Sequence, residues 1–333
     1  MNSASKLKEI IDSPSPSFDR NGVITAHRVL DCHSELGECI LFDDETNKIL
    51  WTDINGKTFN MFNLNDGTYN SYSLPKMLGS FALLSHHNLE SNAYLCAWED
   101  GFQIFDIEKG IPLGPLSQGE DVNPMKLPSR LNDGRVDRAG KYFICGGYYG
   151  DIPENYMKVF KVELDDPTLL GLKHTPIMEK IQVTNSICWS LDGSIQYLAD
   201  SPTQTIFQYD YDQNNGLLTN KQVFRKLDIG VPDGSCVDSC GNLWNAVWRN
   251  GVGPSMVQCI DHATKDVIYT VRMPDETSQI TCVCFGGPNL DILFISTAYI
   301  NLNRQNEPNA GCMYAVKLGV QGLLENRFKI RND

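Results

Sequence analysis

The feature that most constrains this chain is a loose sixfold repetition of short strands. From Val23 onward, runs of aliphatic and aromatic residues alternate with clusters of Gly, Asn, Asp and Pro, and few segments hold a helical period. That pattern predicts an all-β fold. One unit reads ECILFDDETNKILWTDINGKTFNMFNLNDGTYNSYSL, four strands separated by turns. The second starts at Gly79 and ends in NAYLCAWEDGFQIFDIEKG, and the third runs from Leu131 through NDGRVDRAGKYFICGGYYG to MKVFKVELD. The fourth is NSICWSLDGSIQYLADSPTQTIFQYDYDQNNG, the fifth DGSCVDSCGNLWNAVWRNG with SMVQCID, and the sixth ITCVCFGGPNLDILFISTAYI with GCMYAVKL. A spacing of roughly 40–55 residues fits one four-stranded blade per unit, hence a six-bladed β-propeller. A single blade cannot bury both faces, so stacking of blades supplies the core. Strands Val23–Leu30 and Gly311–Leu318 are expected in one blade, closing the ring. A β-sandwich is the alternative, and six similar units count against it.

The remaining organisation is brief. Residues 1–20 read as a flexible polar N-terminal tail with a short helical turn over Leu7–Ile11, and residues 21–333 as a single propeller domain. With 28 basic against 41 acidic residues, the net charge is −13. Nucleic-acid binding is not expected, because phosphate neutralisation needs clustered Lys and Arg. No apolar run approaches the ~20 residues that span a bilayer, and the N-terminal segment has no signal-peptide pattern. The expectation is a soluble, cytoplasmic protein. The 11 cysteines include no matched CxxC pairs, so a structural zinc site is not expected, and most lie in apolar runs as small hydrophobes.

In a propeller the first strand of each blade lines the central channel, so polar residues just before those apolar strands are candidates for one shared site. Glu38, Arg130, Asn132, Asp133, Asn185 and Asp233 occupy such positions. Asn-Asp-Gly and Pro-Asp-Gly are also ordinary turn sequences, and that reading stays open. Converging carboxylates and carboxamides call for a cation; hard oxygen donors suit Ca²⁺, Mg²⁺ or Mn²⁺, and Zn²⁺ at low coordination. Arg130 would be repelled by a metal and is better suited to substrate oxygens. Asp53, Asp100 and Asp200 each end a second strand and read as turn or packing residues. The five tryptophans, Trp51, Trp98, Trp189, Trp244 and Trp248, read as packing between blades. His86 and His87 read as a solvated loop. No phosphate-binding loop or GxSxG elbow is present.

At these residues the order LGE-C, R-x-NDG-x-VD-x-AG-x-YF, TNS-x-x-WS-x-DG, DS-x-x-x-x-I-x-x-YDYD and VPDG-x-C-x-D-x-x-GNLW resembles the SMP-30/gluconolactonase/LRE-like family, from about residue 27 to about residue 318. The resemblance implies a six-bladed propeller that binds one divalent cation and hydrolyses aldonolactones. It implies Glu38, Asn185 and Asp233 as cation ligands, Arg130 and Asn132 as the substrate-contacting pair, and Asp233 as a general base as well. A noncatalytic calcium-binding or regulatory propeller, a hydrolase of another ester or phosphotriester, and an interaction platform are the alternatives. The chain departs from the family pattern at Ile40, where Pro is usual, and at Ser186, where Gly is usual. It departs also at Asn245 and at Arg249-Asn250. The segment GGYYGDIPENYMK makes Tyr148, Tyr149 and Glu154 further candidates for substrate contact.

Overall fold

The computed structural model describes residues 3–85, 92–119, 122, 129–150, 157–250, 253, 255–274 and 277–330. Six sheets follow one another along the chain, and the fold is the expected six-bladed β-propeller. Blade 1 orders Gly37–Asp43, Lys48–Asp53, Thr58–Asn63 and Tyr69–Ser73; blade 2 orders Leu78–Ser85, Ala93–Trp98, Gly101–Asp106 and Ile111–Pro112. Blade 3 comprises Ser129–Val136, Phe143–Tyr149, Met157–Asp166 and Gly171–Ile181, and blade 4 Thr184–Trp189, Ile195–Asp200, Thr205–Asp212 and Leu217–Lys226. Blade 5 comprises Val231–Val237, Leu243–Trp248, Met256–Ile260 and Val267–Arg272. Blade 6 takes Ile280–Gly286, Ile292–Thr297 and Met313–Lys317.

The chain forms two compact units. One consists of Met1–Gly56, Asn60–Ser71 and Arg225–Glu325, the body of blades 1, 5 and 6; the other consists of Lys57–Phe59, Tyr72–Phe224 and Asn326–Asp333, the body of blades 2, 3 and 4. In the first unit, His27–Leu30 adds antiparallel to Met313–Lys317, as expected for a strand shared between the two ends of the chain. The preceding Gly22–Thr25 instead pairs parallel with Val267–Arg272, so the segment expected in one blade serves two. Ala26 lies between them and donates its N–H to the Arg272 carbonyl at 2.9 Å.

The helical turn expected over Leu7–Ile11 belongs to a longer helix, Ser3–Asp12. Leu7 and Ile10 stand three apart on one helix face and are buried against Val29, Leu30, Met313 and Ala315. Lys317 Nζ donates to the carbonyls of Ile11 and Ser13 at 2.7 Å each, placing a cation at the negative end of the helix. Among the described residues no helix is long and apolar enough to cross a membrane.

Burial follows the layering. The first strands of blades 1, 4 and 6 are buried along their whole length, and each carries consecutive apolar residues, Ile40–Phe42, Ile187–Trp189 and Cys282–Phe285, rather than an alternation. Trp51, Trp98, Trp189 and Trp244 are fully buried, and Trp244 of blade 5 meets Phe285 of blade 6 edge-on at 5.7 Å. Nine of the 11 cysteines are buried and none forms a disulfide. Burial pushes the thiols of Cys32 and Cys145 up to about 12, which leaves them neutral packing groups.

Two aspartates of the repeated pattern close turns. Asp137 Oδ1 accepts the N–H groups of Lys141 at 2.8 Å and Tyr142 at 3.2 Å, while Tyr211 donates its hydroxyl to Oδ2. Asp238 Oδ1 accepts Cys240 N and Asn242 N, both at 2.9 Å, and Oδ2 accepts Trp244 Nε1. The VD-x-x-G pattern is therefore a turn with a buried carboxylate as its internal acceptor.

Candidate functional site

Every first strand carries a break in its ladder at a corresponding point. The shifts fall between Glu38 and Leu41, Leu78 and Ser80, Leu131 and Gly134, Asn185 and Cys188, Pro232 and Ser235, and Ile280 and Val283. A bulge of this kind frees a residue from pairing and re-aims its side chain. The candidate residues Glu38, Asn132, Asn185 and Asp233 all sit in or beside these bulges. Asn-Asp-Gly and Pro-Asp-Gly are thus bulged strand rather than turn. The glycine requirement is one of space: a Cβ on Gly234 would lie 2.4 Å from Cys282 Sγ of the neighbouring blade.

In the second unit the site residues are joined by hydrogen bonds. Arg130 Nη1 donates to Asn132 Oδ1 and, at 3.2 Å, to the Leu131 carbonyl. Tyr148 lies directly across the ladder from Arg130, with its ring centroid 4.5 Å from the guanidinium carbon, a cation–π contact. Asn132 Nδ2 donates to Asn185 Oδ1 at 3.0 Å and to the Thr184 carbonyl at 2.8 Å. Asn185 Nδ2 donates to Ser201 Oγ at 2.9 Å. Ser186 stands at φ 63°, the left-handed region expected of the usual glycine. An L side chain there costs about 1–2 kcal/mol. The Asp133 carboxylate fixes the next residue by accepting Ile187 N–H at 2.8 Å. Asp200, at the end of the second strand, accepts Gln182 N and Val183 N and so anchors the lead-in to Asn185. Burial raises the Asp200 pKa above its ordinary value near 3.8, against the lowering by those two bonds.

The first unit holds the two carboxylates. Glu38 is 9% exposed and Asp233 5%. Asp53 repeats the anchoring seen at Asp200, accepting Glu35 N at 2.8 Å and Leu36 N at 2.9 Å just ahead of Glu38. Cys39 after Glu38 is left-handed at φ 49°, as Ser186 is after Asn185. The Asp233 bulge is held by Asn245, whose Nδ2 donates to the Asp233 carbonyl at 3.0 Å and to Ser235 Oγ at 2.9 Å. Asn245 is fully buried, so the departure at this position is a polar plug behind the bulge.

The family model for the SMP-30/gluconolactonase/LRE-like region matches residues 36–299. The chain belongs to that family. It is 30% identical over 300 residues to regucalcin of Danio rerio, covering 87% of this chain and 93% of the relative. Among solved structures, the calcium-binding protein regucalcin from Agrobacterium tumefaciens superposes with a TM-score of 0.79 at 24% identity, covering 92% of this chain and 99% of the other. A gluconolactonase from Xanthomonas campestris gives a TM-score of 0.63 at 17% identity, covering 88% and 89%. These last two likenesses carry the fold.

Further residues of the matched region have partners of their own. Tyr149 is buried with Ile181 and Trp189, away from solvent. Arg249 donates its backbone N–H to the Ser278 carbonyl at 3.0 Å, and Asn250 Oδ1 accepts Gln279 Nε2. Asp100 pairs with Lys76, and in blade 2 the backbone of Met77 is met by Glu99 instead. Glu154, His86 and His87 lie outside the described residues. Sequence reasoning missed Ser201 and Thr184 as partners of the site, and it missed the anchoring by Asp53 and Asp200. The recurrent WTD and LAD endings were the available signal for the latter. Among the described residues no three His, Cys, Asp or Glu side chains are grouped to hold a metal ion. The donor set implied for the family contains two buried carboxylates and one carboxamide, all hard oxygen ligands, and Asn185 Oδ1 keeps a lone pair beyond the one that Asn132 engages.

Proposed function

We propose that this protein hydrolyses a sugar lactone of the aldonolactone class with the help of one divalent cation. Glu38, Asn185 and Asp233 would hold the cation, which when bound supplies Lewis acidity toward the lactone carbonyl. The observation that carries the reading is the direct bond between its two functional groups: Asn132, of the pair implied to face substrate, touches Asn185, of the ligand set, at 3.0 Å. Arg130, flanked by Asn132, has N–H groups suited to the hydroxyl and carbonyl oxygens of a polyhydroxylated ring. Asp233 takes a proton from the attacking water as its oxygen bonds to the carbonyl carbon. The ring ester C–O bond then breaks, and that proton passes to the departing alkoxide. The product is an aldonic acid, which ionises and releases acid.

A panel of five- and six-carbon aldonolactones, followed by acid release with chelator-stripped and cation-refilled protein, tests the proposal. Ca²⁺, Zn²⁺, Mg²⁺ and Mn²⁺ are the refills. Turnover should vanish on stripping and return with at least one of them. The Asp233→Asn variant should lose about 10³-fold or more in kcat and stay inactive at saturating cation, since it keeps an oxygen donor but not the proton acceptor. Wild-type protein that binds Ca²⁺ yet releases no acid from any lactone would replace this reading with a noncatalytic calcium-binding role.

A further inference from the structure

Arginine donates hydrogen bonds and accepts none, so the bond from Arg130 settles which end of the Asn132 carboxamide faces it: the oxygen. Asn132 Nδ2 is thereby turned toward blade 4, where its two hydrogens are taken by the Thr184 carbonyl and by Asn185 Oδ1. That second bond orients Asn185 in turn. Its oxygen faces Asn132, and its Nδ2 faces Ser201 Oγ. Arg130, Asn132, Asn185 and Ser201 are all buried, at 8%, 4%, 5% and 5% exposure, so water is a poor substitute partner for any of them. Two partners impose the direction of the whole chain, the guanidinium, which can only donate, and the Thr184 carbonyl, which can only accept, and the Tyr148 ring holds the guanidinium in place.

We propose that Arg130 and Asn132 are positioning residues that, through this relay, make Asn185 present its carboxamide oxygen rather than its NH₂ group to a divalent cation. The proposal rests on the reading of Asn185 as a cation ligand and adds what sets its polarity. A reversed Asn185 would point N–H hydrogens at the cation and set its NH₂ against that of Asn132. Both hydrogens of Asn132 are already engaged, so direct donation to a substrate hydroxyl falls to Arg130.

The test compares two backgrounds by calorimetric titration of chelator-stripped protein with Ca²⁺. Asn132→Leu, similar in size, removes the donor that orients Asn185 and should weaken Ca²⁺ binding tenfold or more. Asn185→Asp makes the two side-chain oxygens equivalent, so nothing is left to orient. In that background Asn132→Leu should change affinity less than threefold. An equal loss in both backgrounds overturns the relay. A cation-free readout separates this from failure of the cation reading itself. The side-chain ¹⁵N–¹H signals of Asn185, assigned by their loss in Asn185→Asp, should shift in Arg130→Met, because the bonds from Arg130 to Asn132 and from Asn132 to Asn185 link the two. Signals unchanged in both Arg130→Met and Asn132→Leu overturn the relay whether or not Ca²⁺ binds. Wild type that binds none of Ca²⁺, Zn²⁺, Mg²⁺ and Mn²⁺ overturns the ligand role of Asn185, and the shifted signals would then stand for the relay alone.

Discussion

The first strands of blades 1 and 4 break their ladders in one way, and those of blades 3 and 5 in another. In blades 1 and 4 the candidate residue, Glu38 or Asn185, is followed by an L residue held left-handed, Cys39 or Ser186. The lead-in is anchored there by a carboxylate from the end of the second strand, Asp53 or Asp200. In blades 3 and 5 no L residue of the bulge is left-handed, and glycine appears where the neighbouring blade comes too close for a side chain. Blade 5 adds a buried carboxamide, Asn245, against the bulge carbonyl. The same displacement of the backbone is thus held once by anchoring a strained turn from outside, and once by plugging an unstrained one from within. The first arrangement leaves stability unused at Ser186; the second concentrates it in one side chain.

The largest effect expected from breaking this contrast is at Asn245. Asn245→Leu keeps the volume but leaves the Asp233 carbonyl and the Ser235 hydroxyl without their buried donor, at about 1–3 kcal/mol for each group. Chemical denaturation should show a loss of about 2–4 kcal/mol, and an unchanged midpoint would mean that the plug does not hold the bulge. In the other class the sign reverses. Ser186→Gly relieves the left-handed strain and should raise Tm by about 1–3 °C, since roughly 1 kcal/mol is recovered in a large domain. A fall in Tm would show that the Ser186 side chain contributes more than its backbone conformation costs. The smallest effect concerns the anchor at Asp200. Its pKa is raised by burial, so the folded state takes up the proton more readily than the unfolded chain. Its contribution to stability is therefore full below about pH 4 and is lost as pH rises through the raised value. The stability of wild type relative to Asp200→Asn should decline as pH climbs from 4 towards neutrality. A difference that instead grows with pH would mean that the bonds from Gln182 and Val183 outweigh the burial.

Much of the fold was legible because strand and turn signals are local. The sixfold spacing located the blades, and the apolar first strands located their buried layer. Legibility failed where a second strand decides the outcome. The NDG and PDG tripeptides carry ordinary turn chemistry, yet Asp133 and Asp233 lie in bulged strands, because cross-strand pairing overrode local preference. The segment Val23–Leu30 read as one strand and is divided at Ala26 between two blades, one pairing parallel and the other antiparallel. At the site, residue identities were readable from the motif order, whereas the link from Arg130 through Asn132 to Asn185 was not.

The sequence by itself determined the all-β class, the number of blades, the family, and the identity of the carboxylates and carboxamides on the first strands. The class and the blade number depend on the spacing of short segments along the chain, and the family on the order of its motifs, so none of them needs a contact between distant residues. Tertiary structure decided which glycines are needed for clearance, which L residues are held left-handed, and which way the carboxamides of Asn132 and Asn185 point. The physical reason is that a carboxamide is nearly symmetric in shape and an isolated bulge has no fixed form. Only a partner with a single hydrogen-bonding role, such as Arg130, which cannot accept, or the Thr184 carbonyl, which cannot donate, gives such a group a direction.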